Sequence, residues 1–180
     1  MNKLAAALAS EMASRGRELG VDVHKIAGAT VIDAGVKAPG SFEAGIYVSK
    51  ITMGGLATIS ISSTLFEDLL LPAVSVSTDY PVEACMASQL AGWRVKVGDF
   101  FANGSGPARV LARKPKRLFE ELGYTEESDE AVLALETDRL PTEDVVKYLS
   151  SETKVKPENL YLVVFATNSI VGVVQTAARI

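Results

Sequence analysis

Apolar and polar positions recur with two different periods along the chain, and the change of period divides it. Leu4, Leu8, Met12 and Leu19 fall near one face at helical spacing, which predicts a helix over residues 2–19 ended by Gly20. From Val21 to about Val76 the period shortens. Val21 and Val23, Val31, Ile46 and Val48, and Ile59 and Ile61 alternate with polar neighbours such as Thr58, Ser60 and Ser62. Gly28, Gly35, Gly40, Gly45, Gly54 and Gly55 punctuate these runs, so the segment reads as several short, largely antiparallel strands.

The second half alternates in larger units. Ala73–Val76 reads as a strand, and Thr78-Asp79 before Pro81 as the entry of a helix running to about Gly92. Trp93–Val97 is a strand and Gly98-Asp99 its turn. Beyond the loop A-N-G-S-G-P-A-R (102–109), a helix begins at Ala108–Ala112, is interrupted at Pro115 and resumes over Lys116–Leu122 before Gly123. An acidic connector, Glu126 to Glu130, leads into a strand at Ala131–Leu135. A helix from Thr142 to about Ser151, a strand at Leu160–Ala166 and a helix from Ser169 follow. This βαβα unit implies a parallel, right-handed crossover, and the whole implies an α/β (α+β) domain with a mixed sheet over residues 1–180. The last helix reaches Ile180 with no C-cap signal, so the chain is expected to stop inside it.

Composition narrows the chemistry. With 48% apolar and 22% charged residues, 180 residues suffice for one compact core. A net charge of −4 argues against a nucleic-acid binder, whose footprint is basic. Cys85 is the one cysteine and cannot form an intramolecular disulfide, which suits a reducing cytoplasm. The start M-N-K-L-A-A-A-L-A-S is followed at once by Glu11, Arg15, Arg17 and Glu18, so it reads as an amphipathic helix and not a secretion signal. No apolar run approaches the roughly 20 residues of a membrane span. The expectation is a cytoplasmic protein that binds neither membrane nor nucleic acid.

Candidate chemistry centres on the glycine-rich loop. A serine triad through Ser105 needs a histidine, and the single one is His24; the nucleophile elbow also needs glycine where Asn103 stands. One histidine and one cysteine give no ordinary zinc ligand set, so no metal site is expected. Gly104-x-Gly106 resembles part of a dinucleotide fingerprint, but Arg109 takes the third glycine's place and Pro107 removes an N–H. The remaining readings are a turn or an anion contact made by Gly104, Ser105 and Gly106, aided by Arg109. Arg113, Lys114, Lys116 and Arg117 follow, and Lys114 and Lys116 read as a solvated helix face. Glu43, in S-F-E-A-G (41–45), reads on its own as a surface acid. Gly54-Gly55 reads as a backbone position needing positive φ.

Taken together, S-F-E-A-G (41–45), M-G-G-L-A (53–57), L-P-A-V (71–74), A-G-W-x-V-x-V-G-D-F-F-A-N-G-S-G-P-A-R (91–109) and N-S-I-V-G-V-V-Q-T-A-A-R (168–179) resemble the archaeal methenyltetrahydromethanopterin cyclohydrolases. The resemblance implies reversible hydrolysis of a pterin's methenyl bridge to the formyl compound in archaeal and methylotroph one-carbon metabolism. It implies no metal or organic cofactor, a fold of two α/β domains with the pterin in the cleft between them, and often a homotrimer. The family's catalytic pair, an arginine with a glutamate three residues later, matches Arg179. The glutamate would fall beyond Ile180, so this chain is expected to be an N-terminal cyclohydrolase domain, inactive or weak alone. Gly104, Ser105, Gly106 and Arg109 become candidates for the substrate's anionic tail, with Gly54, Gly55, Glu43 and Asp79 as further substrate contacts. Two competing expectations are a non-catalytic binding or assembly module that keeps the fold, and a nucleotide-binding domain.

Overall fold

In a computed structural model, residues 1–62, 73–88 and 92–178 are described. The N-terminal amphipathic run forms α1 (Asn2–Ser14), which buries Ala5, Ala9 and Met12. Instead of one helix over residues 2–19, the chain breaks at Arg15 and adds a single turn, α2 (Gly16–Leu19). Gly20 closes it at φ 69°, the left-handed cap expected of glycine.

The hairpin β1 (Asp22–Ile26) and β2 (Ala29–Gly35) follows. The next expected strand is a helix, α3 (Phe42–Thr52), so the reading of Ile46 and Val48 as alternating strand positions is overturned. Ser41 caps it, its hydroxyl accepting from the Ala44 N–H at 3.0 Å. Ala44, Val48 and Ile51, at helical spacing, are all fully buried. Gly45 lets the helix lie against α8, because a Cβ there would stand 2.6 Å from Val174 Cβ.

A small two-stranded antiparallel sheet, β3 (Thr58–Ser62) with β4 (Ala73–Ser77), stands apart from the main one. After α4 (Pro81–Ala87), shorter than expected, comes the hairpin β5 (Trp93–Val97) and β6 (Phe100–Ser105) around Gly98-Asp99. Thus the first half of the predicted loop is strand: Gly104 pairs with Trp93 on one side and Leu135 on the other. Two short helices, α5 (Ala108–Leu111) and α6 (Lys116–Leu122), precede the βαβα unit. That unit is β7 (Ala131–Glu136), α7 (Glu143–Thr153), β8 (Leu160–Phe165) and α8 (Ile170–Ala177).

The main sheet runs β1-β2-β8-β7-β6-β5. Its centre, β2, β8 and β7, is parallel, and each flank is antiparallel. The early strands are therefore not all antiparallel: β2 is a central strand of the α/β sheet. Strict alternation divides two cores. Ala131, Leu133, Leu135, Leu160, Leu162 and Val164 face α5 and α7. Val132, Ala134, Val163 and Phe165 face α1, α3 and α8. Each fully buried large side chain contributes roughly 1.5–3 kcal/mol of transfer free energy. No helix among the described residues is long and apolar enough to cross a membrane.

Candidate active site

The ends of the parallel strands are built differently. At the end where β7 begins, the chain is locked by buried polar contacts. The Asn2 carboxamide donates to Pro107 O at 3.1 Å and accepts from the Val132 N–H at 3.0 Å. Gly54 and Gly55 turn the chain out of α3 at φ 69° and 73°, so the positive φ expected there is present. A Cβ on Gly54 would lie 2.8 Å from Met1 Cβ, and one on Gly55 2.9 Å from Leu4 Cβ. These glycines let α1 and the end of α3 touch. Beside them Met53, Ala57, Ile59, Ala84 and Ala178 form one buried apolar cluster. Ala178 ends the described part of α8; Arg179, the arginine singled out by the resemblance, lies outside the described residues.

Gly106 and Arg109 lie near this end, Gly104 and Ser105 pair with Leu135 and Ala134 further along β7, and all four are buried. Ser105 is buried in β6, and the Gly106 N–H donates to Ala87 O at 2.7 Å. Gly106 sits at φ 118°, where a Cβ would press on Val132 O at 3.1 Å. Arg109 has no exposed surface. Its guanidinium donates to Ser88 O, to Ala87 O at 3.5 Å and to Lys114 O at 3.3 Å. Burial pushes it down to about 10, because a buried guanidinium loses its hydration. As placed, the loop is a clamp between α4 and α5. The basic run after it divides: Lys116 and Arg117 make exposed ion pairs with Glu120 and Glu121, while Lys114 bridges to Glu152 and lies 5.9 Å over the Trp93 ring.

Glu43 and Asp79 are separate from each other. Glu43 is exposed and pairs with Arg15 at 2.8 Å, in a network that includes Glu18 and Tyr47. Glu18, then Glu43 and Tyr47, hold the Arg15 guanidinium above its usual range. Asp79 is exposed between β4 and α4, next to Thr78, whose hydroxyl donates to Leu56 O at 2.7 Å.

At the opposite end, where β7 and β8 finish, the surface opens into a cleft of about 440 Å³. Such crevices at the carboxyl ends of parallel strands are where α/β sheets hold ligands. Glu136, the last residue of β7, accepts from Thr167 Oγ1 at 2.8 Å. Asp138 pairs with Arg139 at 2.9 Å, and that guanidinium holds the Asp138 carboxyl below its usual range. Phe101 stands at the wall, 52% exposed, with the Arg94 guanidinium 5.6 Å from its ring centre. The floor is fixed from below. Asp33, fully buried, accepts from four successive backbone N–H groups, Gly35 to Ala38, and Ala166 N–H donates to Gly35 O. Ser169 caps α8 through Gly172 N–H. Sequence reasoning passed over Glu136, Phe101 and Thr167; the signal that could have found them is their position just past or beside the ends of two strands read as parallel. Among the described residues no group of His, Cys, Asp and Glu could hold a metal ion.

Comparison with known proteins agrees with this architecture's resemblance. The chain matches the cyclohydrolase (MCH) family over residues 1–180. A protein of Methanococcoides burtonii named methenyltetrahydromethanopterin cyclohydrolase is 50% identical over 85% of the chain and 48% of its own length. Proteins of the same name from Methanosarcina mazei and Methanocaldococcus jannaschii are 45% and 46% identical over 100% of the chain, and 56% and 57% of their own lengths. The chain thus spans about half the length of the curated relatives it matches. It belongs to the cyclohydrolase (MCH) family.

Proposed function

We propose that the chain serves methenyltetrahydromethanopterin cyclohydrolase activity, the reversible hydrolysis of a methenyl bridge to a formyl group. The observation that carries this reading is the match over all of residues 1–180 to relatives bearing that name. The chemistry asks little of the protein. A methenyl carbon between two nitrogens shares a delocalised positive charge and is already electrophilic. Catalysis then requires a placed water, a group to take its proton, and an oriented cation. A carboxylate beside an arginine meets these needs, and this reading assigns no metal or organic cofactor.

In this reading Arg179 orients the reacting centre, and the carboxylate that takes the proton belongs three residues further on, at a position the 180 residues do not include. Ala178 leads to Arg179 from the cluster that also holds Met53 and Ala84, so in this reading that cluster adjoins the reaction. Gly104, Ser105, Gly106 and Arg109 act behind it, by holding Ala87 and Ser88 in place. The test follows the near-ultraviolet absorbance of the methenyl substrate. The chain joined after Ile180 to the rest of the Methanosarcina mazei relative should consume it, whereas the 180-residue polypeptide should not. No turnover by a folded, extended chain overturns the reading; brisk turnover by the 180 residues overturns the assignment of the proton acceptor.

One observation favours an assembly role in addition. Phe42, Ile170 and Val173 are exposed on α3 and α8, two helices packed on each other. Covering such side chains is a reason to associate, and a homotrimer in the cytoplasm fits the resemblance. Light scattering of a clean monomer would remove that role.

A further inference from the structure

A buried serine or threonine on a helix can tie its hydroxyl back to a carbonyl one turn earlier, and three in this chain do so. Ser49 and Thr153 donate to Gly45 O and Leu149 O at 2.8 Å each, and Thr52 donates to Ser49 O at 2.9 Å. Ser88 is different. It is 1% exposed at the end of α4, and its hydroxyl has no hydrogen-bond partner among the described residues. Ser62 Oγ shares that lack, but Ser62 is a partly exposed residue at the end of β3. We propose that Ser88 is a substrate-binding residue, whose hydroxyl hydrogen-bonds the bound tetrahydromethanopterin carrier beside its one-carbon bridge. The proposal rests on the function given above and adds a contact to that same site.

The direction of the side chain follows from the backbone. Ser88 N–H donates to Ala84 O at 2.9 Å and φ is −68°, so the residue keeps its helical position up to its own Cα. Its Cβ therefore projects from the same face as Ala84, one turn and about 6 Å further on. Ala84 belongs to the buried cluster with Met53, Ile59 and Ala178, and Arg179 follows Ala178 in the chain. The opposite face of α4 is closed, because Met86 packs with Val110 and Phe119. The carbonyls of this turn are engaged as well. Ser88 O accepts from the Arg109 guanidinium, and Ala87 O accepts from the Gly106 N–H at 2.7 Å. The bond to Ala84 fixes the direction of the Ser88 side chain independently of that clamp.

Energetics give the hydroxyl a use. Buried without a partner, it destabilises the free fold, because it has lost water and gained no bond in return. A ligand that pairs with it removes that cost, so the same group adds to affinity. Its neutrality also fits the substrate. A carboxylate at this place would draw the arginine assigned to the reaction into an ion pair; a hydroxyl does not, and it does not repel the delocalised cation.

The experiment compares Ser88→Ala with the parent in two settings. In the 180-residue chain the denaturant midpoint should stay the same or rise, since no hydrogen bond is lost. In the chain extended with the Methanosarcina mazei remainder the midpoint should again not fall. There, calorimetric affinity for tetrahydromethanopterin should drop about fivefold or more. KM for the methenyl substrate should rise by a similar factor with kcat within twofold, the mark of a contact made equally in ground and transition states. Parent-like affinity in Ser88→Ala overturns the proposal, as does the absence of any binding by the folded, extended parent. A lowered midpoint overturns it too. In the 180-residue chain it would reveal a partner inside this fold, and in the extended chain alone a partner in the remainder. Failure of the functional reading looks different: the carrier binds with the expected dependence on Ser88, and the extended chain does not hydrolyse the methenyl substrate.

Discussion

The two ends of the central strands obey opposite rules. Where β7 begins, small residues and buried hydrogen bonds bring α1, α3, α4 and α5 together: Gly54 against Met1, Gly106 against Val132, Arg109 against the carbonyls of α4. Where β7 and β8 end, carboxylates, an exposed phenyl ring and threonine hydroxyls stand around an open cleft. The first end looks chemical in sequence, because glycine, serine and arginine cluster there. The second has no motif. The difference teaches that glycine-rich runs mark close packing as readily as ligand approach, and that strand topology opens a cleft where the sequence shows no motif.

The sharpest way to break this contrast is to alter the residue that the resemblance makes catalytic. Arg179→Ala, in the chain extended with the relative's remainder, should lower kcat by about a hundredfold or more, the usual loss for a positioned charge at a reacting centre. Unchanged kcat with altered pterin affinity would move the chemistry away from the end of α8.

Arg109→Ala tests the clamp. Removing a fully buried guanidinium leaves the carbonyls of Ser88 and Lys114 without their donor, so the loss should be about 2–4 kcal/mol in denaturant unfolding. The KM of folded material should stay within twofold of the parent. A stable variant with a raised KM would instead restore Arg109 to the anionic tail. The pH dependence has a definite sign. The folded guanidinium sits at about 10, below its unfolded value. Between these values the unfolded chain holds the extra proton, so stability gains from this group as pH rises through 10. Comparing the parent with Arg109→Met above and below pH 10 isolates that gain.

Much of the fold is legible in the chain, and its failures have physical causes. The βαβα unit was readable because Val132 to Leu135 and Leu162 to Phe165 are continuous apolar runs, the mark of strands buried on both faces. The stretch 42–52 misled because Ile46, Val48 and Ile51 are β-branched and glycines flank them. Its helical period through Ala44, Val48 and Ile51, and the cap at Ser41, were present but weaker signals. Gly104 reads as a loop residue, but the strand needs it: a Cβ would come within 3.3 Å of Leu133. The burial of Arg109 left no trace in sequence, since its acceptors Ala87 and Ser88 are more than 20 residues away. The cleft was hidden for a related reason: it exists only once β6, β7 and β8 lie side by side.

Gly54→Ala sharpens the reading of the closed end as packing. At φ 69° a Cβ is strained, and here it would also press on Met1, whose flexible side chain can give. The expected loss is about 1–2 kcal/mol in unfolding, with KM unchanged in the extended chain. A raised KM without lost stability would make this turn a substrate contact after all.

The smallest effect belongs to Glu43, which lies at neither the packed end nor the cleft. Its carboxylate is exposed and shares Arg15 with Glu18. An exposed pair gains little Coulomb energy in high dielectric and loses side-chain freedom, so Glu43→Gln should move Tm by no more than about 2 °C. Arg15 keeps Glu18 and Tyr47 as partners in the variant, and α3 keeps its Ser41 cap. Nothing that positions the cleft or the end of α8 passes through this residue, so pterin affinity and KM should both stay within twofold. A large change in either would mean that the surface around Arg15 meets the substrate, and the contrast between two ends would become one among three sites.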